Sequence, residues 1–301
     1  MSTDSAQSVD LVLIQRSSPS THSEAPKEPV RALLCRALAA KASLALAACL
    51  VTLHLSAQEL PKPKITKPQV EMPLRVLLIG NSYFYYNNSL HNHIKRMLAS
   101  GNPAPKESDI SYKSATISGA SLAHQPVEWL VTPGQLGVKE GFQLVILADG
   151  SAAPLSDARR IESRRLIREH AATIRKHGGQ VALYMTHAYA APHRQTKPQN
   201  LTATARHYIE AANEIDALVI PVALAFEEAY RQRPNVSLHM TYDGSHPNAL
   251  GTYLAACVTF SSIYSQPCKG NIYNYFGQFS PEEIAFLQSV SDTVVQRFFN
   301  R

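Results

Sequence analysis

From about residue 74 onward, short strand-like runs, most of them apolar, alternate with amphipathic stretches. The runs cover 75–80, 110–117, 143–148, 180–185 and 218–220. Each is short and bounded by polar or glycine-containing segments, and all but 110–117 are predominantly apolar, which predicts five strands. Between and after them, apolar residues return at helical spacing over 122–131, 156–177, 203–215, 223–232 and 249–262, and over 90–98 with Leu90, Ile94, Met97 and Leu98 on one side. Gly178-Gly179 closes the long fourth-strand-proximal helix as a C-cap. Ser280-Pro281-Glu282-Glu283 is a capping box with proline at the first helical position, continued by Ile284, Leu287, Val290, Val294 and Phe298. Strands without a polar face need cover on both sides. The alternation therefore predicts an α/β fold, a doubly wound parallel five-stranded sheet with helices on both faces. A site in such a sheet lies beyond the carboxyl ends of the strands.

The N-terminal quarter follows another pattern. Residues 1–30 are polar, rich in Ser and Pro and without apolar periodicity, which predicts a disordered extension. Arg31, Arg36 and Lys41 precede the apolar stretch from Ala42 to Leu53, and small residues follow at Ser56-Ala57. Residues 31–57 thus read as a signal peptide cleaved after Ala57. The stretch is too short, and too interrupted by Lys41 and His54, for a stable membrane span. Leu46-Ala47-Ala48-Cys49 offers a second reading, a lipoprotein box with Cys49 as the lipidated residue. Either way the expected destination is outside the cytoplasm, periplasmic or extracellular. Residues 58–73 carry Pro61, Pro63, Pro68 and Pro73 among lysines and read as an extended linker. The folded domain is expected over 74–301.

Composition narrows the function classes. The chain is 45% hydrophobic and only 17% charged, as suits a folded core rather than a disordered chain. Its formal charge of +6 raises nucleic acid as a partner. The basic residues are scattered, however, apart from Arg159-Arg160 and Arg164-Arg165 with Arg168, a spacing that reads as a solvated helix face. No nucleic-acid partner is expected. Cys257 and Cys268 either pair in an oxidising compartment or stand as a buried helix thiol and an unrelated loop thiol.

Two short blocks carry candidate chemistry. Gly80-Asn81-Ser82 ends the first apolar run, placing a hydroxyl where the site should form. Asp243-Gly244-Ser245-His246-Pro247 supplies a carboxylate and an imidazole before an apolar helix. A serine hydroxyl is a weak nucleophile until a base takes its proton, and that base needs a carboxylate to fix its tautomer. Ser82, Asp243 and His246 are the candidate set. Read alone, Ser82 is also a common helix N-cap and Asp-Gly a common turn. Tyr83 and Tyr85, beside Ser82, are candidate substrate-binding rings. His187 and His193 are placed to line the same crevice, while His91 and His93 read as surface residues. No metal-ligand spacing appears.

These blocks resemble the SGNH (GDSL-like) hydrolase superfamily, whose first motif is a strand followed by G-[DN]-S. The continuation Tyr83-Phe84-Tyr85-Tyr86-Asn87-Asn88 is similar to a bacterial subgroup, as are Ile220 to Phe226 and Ala249 to Ala256. Gly119 matches the glycine of the second motif, and Asp243 with His246-Pro247 matches DxxHP. The resemblance spans roughly residues 74–265. It implies a flavodoxin-like three-layer sandwich and a serine esterase with Ser82 as nucleophile, His246 as base and Asp243 as its orienting acid. It implies an oxyanion hole from the Ser82 and Gly119 amides, and it needs no cofactor. The third motif, GxND, is not kept: Gly150 stands at the asparagine position, so the Gly150 backbone or Ser151 is left as substitute donor. The substrate class it implies is an acyl ester, acetyl on a carbohydrate or polysaccharide, with a lipid or short-acyl ester as the next option. A catalytically weak module that binds glycans or serves envelope-polymer assembly is the rival that Gly150 suggests.

Overall fold

The computed structural model describes residues 59–101 and 103–301. The extension, signal-peptide and Cys49 readings lie outside them. Five strands form one sheet: β1 Arg75–Gly80, β2 Ser111–Thr116, β3 Leu144–Leu147, β4 Gln180–Tyr184 and β5 Leu218–Ile220. Their order is β2-β1-β3-β4-β5, and every pairing is parallel. The helices are α1 Ser82–Tyr85, α2 Leu90–Ala99, α3 Val127–Val131, α4 Asp157–Lys176, α5 Asn200–Glu214, α6 Val222–Gln232, α7 Ala249–Tyr264 and α8 Pro281–Phe299.

The two-residue period of a strand splits its apolar residues between two cores. Val76, Leu78, Leu144, Ile146 and Tyr184 join the core that α2, α6, α7 and α8 cover. Leu77, Ile79, Val145, Leu147 and Leu183 join the core under α3, α4 and α5. β1, β3, β4 and β5 are buried on both sides, which explains why they read as continuous apolar runs, whereas the edge strand β2, Ser111–Thr116, is mostly half-buried and mixes polar with apolar residues. Helix α7 is buried nearly all round, so its sequence shows little amphipathic contrast.

Several expectations change in detail. The helix read over 122–131 is broken into a 3-10 turn at Leu122–His124 and the short α3. Pro126 lies between them, where its missing N–H and ring forbid a continuous helix. Residues 60–73 have no helix or strand, yet they are docked rather than a free tether. Asn213 Oδ1 accepts from the Lys64 amide at 2.8 Å, and Asn213 Nδ2 donates to Lys62 O at 2.9 Å. Leu60 and Ile65 pack on the two cores. Cys257 and Cys268 are free and buried, and their thiols are in contact, so they are neither bonded as a disulfide in this fold nor unrelated. The arginine face of α4 is engaged by acids: Arg164 pairs with Glu210 and Glu214, Arg165 with Glu162 and Glu169, and Arg168 with Glu214.

Candidate active site

The site forms where β1, β2 and β3 end. Ser82 is the first residue of α1, immediately past β1. Gly80 is required there by close approach rather than by its turn: a Cβ would sit 2.8 Å from the Phe84 ring. Asn81 caps the helix, its Oδ1 accepting from the Tyr83 amide at 3.1 Å. Its Nδ2 donates to Ala120 O at 3.1 Å and to Asp149 O at 3.2 Å. One side chain thus ties together the loops that follow three strands.

The second block comes from the segment before α7. Asp243 Oδ1 accepts from the amides of Ser245 and His246 at 2.8 and 3.1 Å, which folds the acid back on its own loop. Gly244 permits the fold. Its φ is +61°, and a Cβ would stand 2.1 Å from Ala190 O. The His246 Nδ1–H donates to Asp243 Oδ2 at 2.6 Å. That bond leaves Nε2 as an acceptor, and the Ser82 hydroxyl lies 2.8 Å from it. Side chains from 82, 243 and 246 therefore meet in one hydrogen-bonded line. Burial pushes the Asp243 carboxyl up. The hydrogen bonds from His246 and the two amides outweigh it, and the group stays below the usual carboxylate range.

The chain's own polar groups brace this line. Asn87 Nδ2 donates to Pro247 O at 2.9 Å and to Thr252 Oγ1 at 2.8 Å, joining the first block to the second. Asn87 and Asn88 have φ of 51° and 68°, a region asparagine tolerates better than most residues. His187 lies beneath the site rather than lining it. Its ring is sandwiched between Tyr83 and Phe226 at 4.4 and 4.3 Å, and Nε2–H donates to Ser245 O at 2.8 Å. Burial keeps that imidazole well below its usual pKa and hence neutral. His193 stacks on Tyr189 at 3.7 Å.

The tyrosines divide. Tyr83 is only 4% exposed and its hydroxyl meets Ser245 Oγ at 2.9 Å, so it supports the histidine loop and presents no face to a substrate. Tyr85 is 39% exposed. Tyr86, passed over in the sequence, lies flat against His246, with centroids 4.3 Å apart and planes at 12°. His93 also departs from its surface reading. It is fully buried, with Nε2–H donating to Asn87 O at 2.7 Å and the Tyr273 hydroxyl 3.1 Å from Nδ1. His91 is partly buried and bonds Ser89 Oγ through Nδ1 at 2.8 Å.

The two amides expected to form an oxyanion hole lie in turns beyond the strand ends. Ser82 N–H is in the first turn of α1, where no intrahelical acceptor exists. Gly119 sits inside a turn closed by Ala120 N–H donating to Ile117 O at 3.2 Å, a bond that does not use the Gly119 amide. Gly150 does not add a third. Its N–H is taken by Asp149 Oδ1 at 2.7 Å, and Asp149 also accepts from Leu122 N–H at 2.9 Å. Ser151 Oγ is paired with the Tyr189 hydroxyl at 2.8 Å. Beside Gly150 opens a groove of about 490 Å³, lined by Ala123, Ala152, Ala153, Ala158 and Leu166 together with Asp149, Arg159, Glu162 and Ser163.

No protein-family model matches the chain, and no curated protein does. Among solved structures, it is similar to a DUF4886 family protein from Bacteroides uniformis. That match has a TM-score of 0.56 and 17% identity, over 74% of this chain and 94% of the other. The chain has the fold of the SGNH hydrolases. Weaker likenesses include the acetyl xylan esterase AlAXEase, at TM-score 0.49 and 15% identity over 62% of this chain and 98% of that one. An acetylxylan esterase from Geobacillus stearothermophilus, solved as a catalytic mutant, follows at TM-score 0.48 and 14% identity over 64% and 96%. Ser82 follows the end of the first strand, and the sheet order is the flavodoxin-like one that the sequence resemblance implied.

Proposed function

We propose that the protein is a serine ester hydrolase that works through an acyl-enzyme, with Ser82 as nucleophile, His246 as general base and acid, and Asp243 as its orienting carboxylate. The observation that carries this reading is the unbroken line Ser82 Oγ–His246 Nε2, His246 Nδ1–Asp243 Oδ2 at 2.8 and 2.6 Å. Ser82 Oγ attacks the ester carbonyl as Nε2 takes its proton. The oxyanion forms against the amides of Ser82 and Gly119. The tetrahedral intermediate collapses, and the imidazolium gives its proton to the departing alcohol oxygen. Water then enters, loses a proton to the same Nε2 and releases the acid, restoring Ser82.

The finer reading is an exported enzyme acting on acetyl groups of carbohydrates or polysaccharides. A second acyl preference is favoured by one observation: the groove beside Gly150, with four alanines and Leu166 in its mixed lining, has room for an acyl group longer than acetyl. Hydrolysis of p-nitrophenyl esters from two to eight carbons separates the two, with the optimum at the short end for the acetyl reading. The glycan-binding or envelope-polymer alternative predicts no turnover in either wild type or Ser82→Ala. The esterase reading requires p-nitrophenyl acetate hydrolysis in the wild type and its loss in Ser82→Ala. Equal rates in both proteins would refute it.

A further inference from the structure

The esterase reading dictates where the two halves of an ester lie. The alcohol oxygen receives its proton from His246 Nε2, so the alcohol half must stand against that imidazole. What stands there is aromatic. Tyr86 covers the imidazole, and Tyr85 stacks on Tyr86 with centroids 5.5 Å apart and planes at 27°. The Tyr86 and Tyr242 hydroxyls lie 3.4 Å apart, and the Tyr85 hydroxyl donates to Ser118 Oγ at 3.0 Å. Ser118 adjoins Gly119 and Tyr242 adjoins Asp243. The three rings therefore run from the candidate oxyanion turn, past the imidazole, to the acid's loop.

Core packing does not account for this row. Of the four consecutive aromatics at 83–86, Tyr83 and Phe84 are buried, whereas Tyr85 is 39% exposed. Tyr242, in a loop with no packing demand for a large ring, is 67% exposed. Yet hydroxyl contacts at both ends hold the rings in a fixed relation. A tyrosine offers an apolar face with a wet polar tip and loses little conformational freedom on binding. A pyranose ring has the matching character, with apolar C–H faces and a rim of hydroxyls.

We propose that Tyr85 and Tyr242, held in place through Tyr86, form the subsite for the alcohol half and that its occupant is a pyranose ring of an acylated sugar. This inference rests on the esterase reading and names the chemistry of the leaving group. The openness of Tyr242 suits a sugar that continues into a longer chain.

The test compares two acetyl esters, methyl β-xyloside triacetate and ethyl acetate, on wild type, Tyr242→Ala and Tyr85→Ala. Both variants alter exposed side chains, and thermal melts verify that each folds. The ratio of kcat/KM for the sugar ester over ethyl acetate is expected to fall about fivefold or more in each variant, carried mainly by KM. A ratio that stays at the wild-type value in both variants overturns the subsite while leaving the esterase standing. Failure of the wild type to hydrolyse either ester overturns the esterase reading and the subsite with it.

Discussion

At His246 three contacts compete for one ring: a carboxylate on Nδ1, a hydroxyl on Nε2 and a tyrosine on the face. The carboxylate decides the tautomer. Asp243→Asn keeps the shape but offers an amide, which selects the wrong tautomer. It is expected to lower kcat roughly a thousandfold or more at pH 7, measured on p-nitrophenyl acetate. Gly150 gives the opposite kind of test. A Cβ there meets nothing closer than 3.8 Å, so no close contact excludes a side chain. Gly150→Asn is expected to fold with stability within about 0.5 kcal/mol of wild type. By adding an amide donor at the position where the superfamily motif has one, it should raise kcat for acetyl esters severalfold. A fall in kcat with unchanged stability would place the oxyanion elsewhere.

Elements position the site through two asparagines. Asn81 caps α1 and bridges the ends of β2 and β3, while Asn87 links the loop after α1 to the segment before α7. Asn81→Ala removes a cap and two buried hydrogen bonds. It is expected to cost about 2–3 kcal/mol in chemical denaturation and to depress kcat as Ser82 loosens. How far the sequence reached is visible in these elements. Four of the five strands were legible because both faces are apolar, and α8 because a capping box and proline mark its start. The break at Pro126 was visible in the letters but outweighed by the apolar spacing on either side. What local pattern does not carry is partnership across the chain. His93 reads as polar on α2, and its burial is made tolerable by Asn87 O on one ring nitrogen and by Tyr273, 180 residues away, on the other. Asn81 and Asn87 were present in the quoted motif, but their acceptors on distant loops emerge only with the fold. The same holds for 60–73, whose prolines announce extension without revealing the surface at Asn213 that receives it.

For the molecule as a whole, the histidines set the response to acid. His187 and His207 are buried, and burial holds both below the usual imidazole value, His207 at about 4. His93 and His239 are shifted the same way by burial. The unfolded chain then binds more protons than the fold between about pH 6.5 and the folded values. Stability is complete above that window and is lost as pH falls through it, each group contributing up to about 1.4 kcal/mol per pH unit. Urea midpoints measured from pH 8 to pH 4 should therefore fall steeply below about 6.5. A flat profile would mean that these imidazoles are charged in the folded state.

Hydrolysis by this protein requires one activated hydroxyl, that of Ser82. Labelling with a fluorophosphonate probe, followed by peptide mapping of wild type and His246→Ala, addresses it most directly. The expected result is a single adduct on Ser82 in the wild type that is lost when His246 is removed. An adduct on another serine, or none at all in the folded wild type, would contradict it.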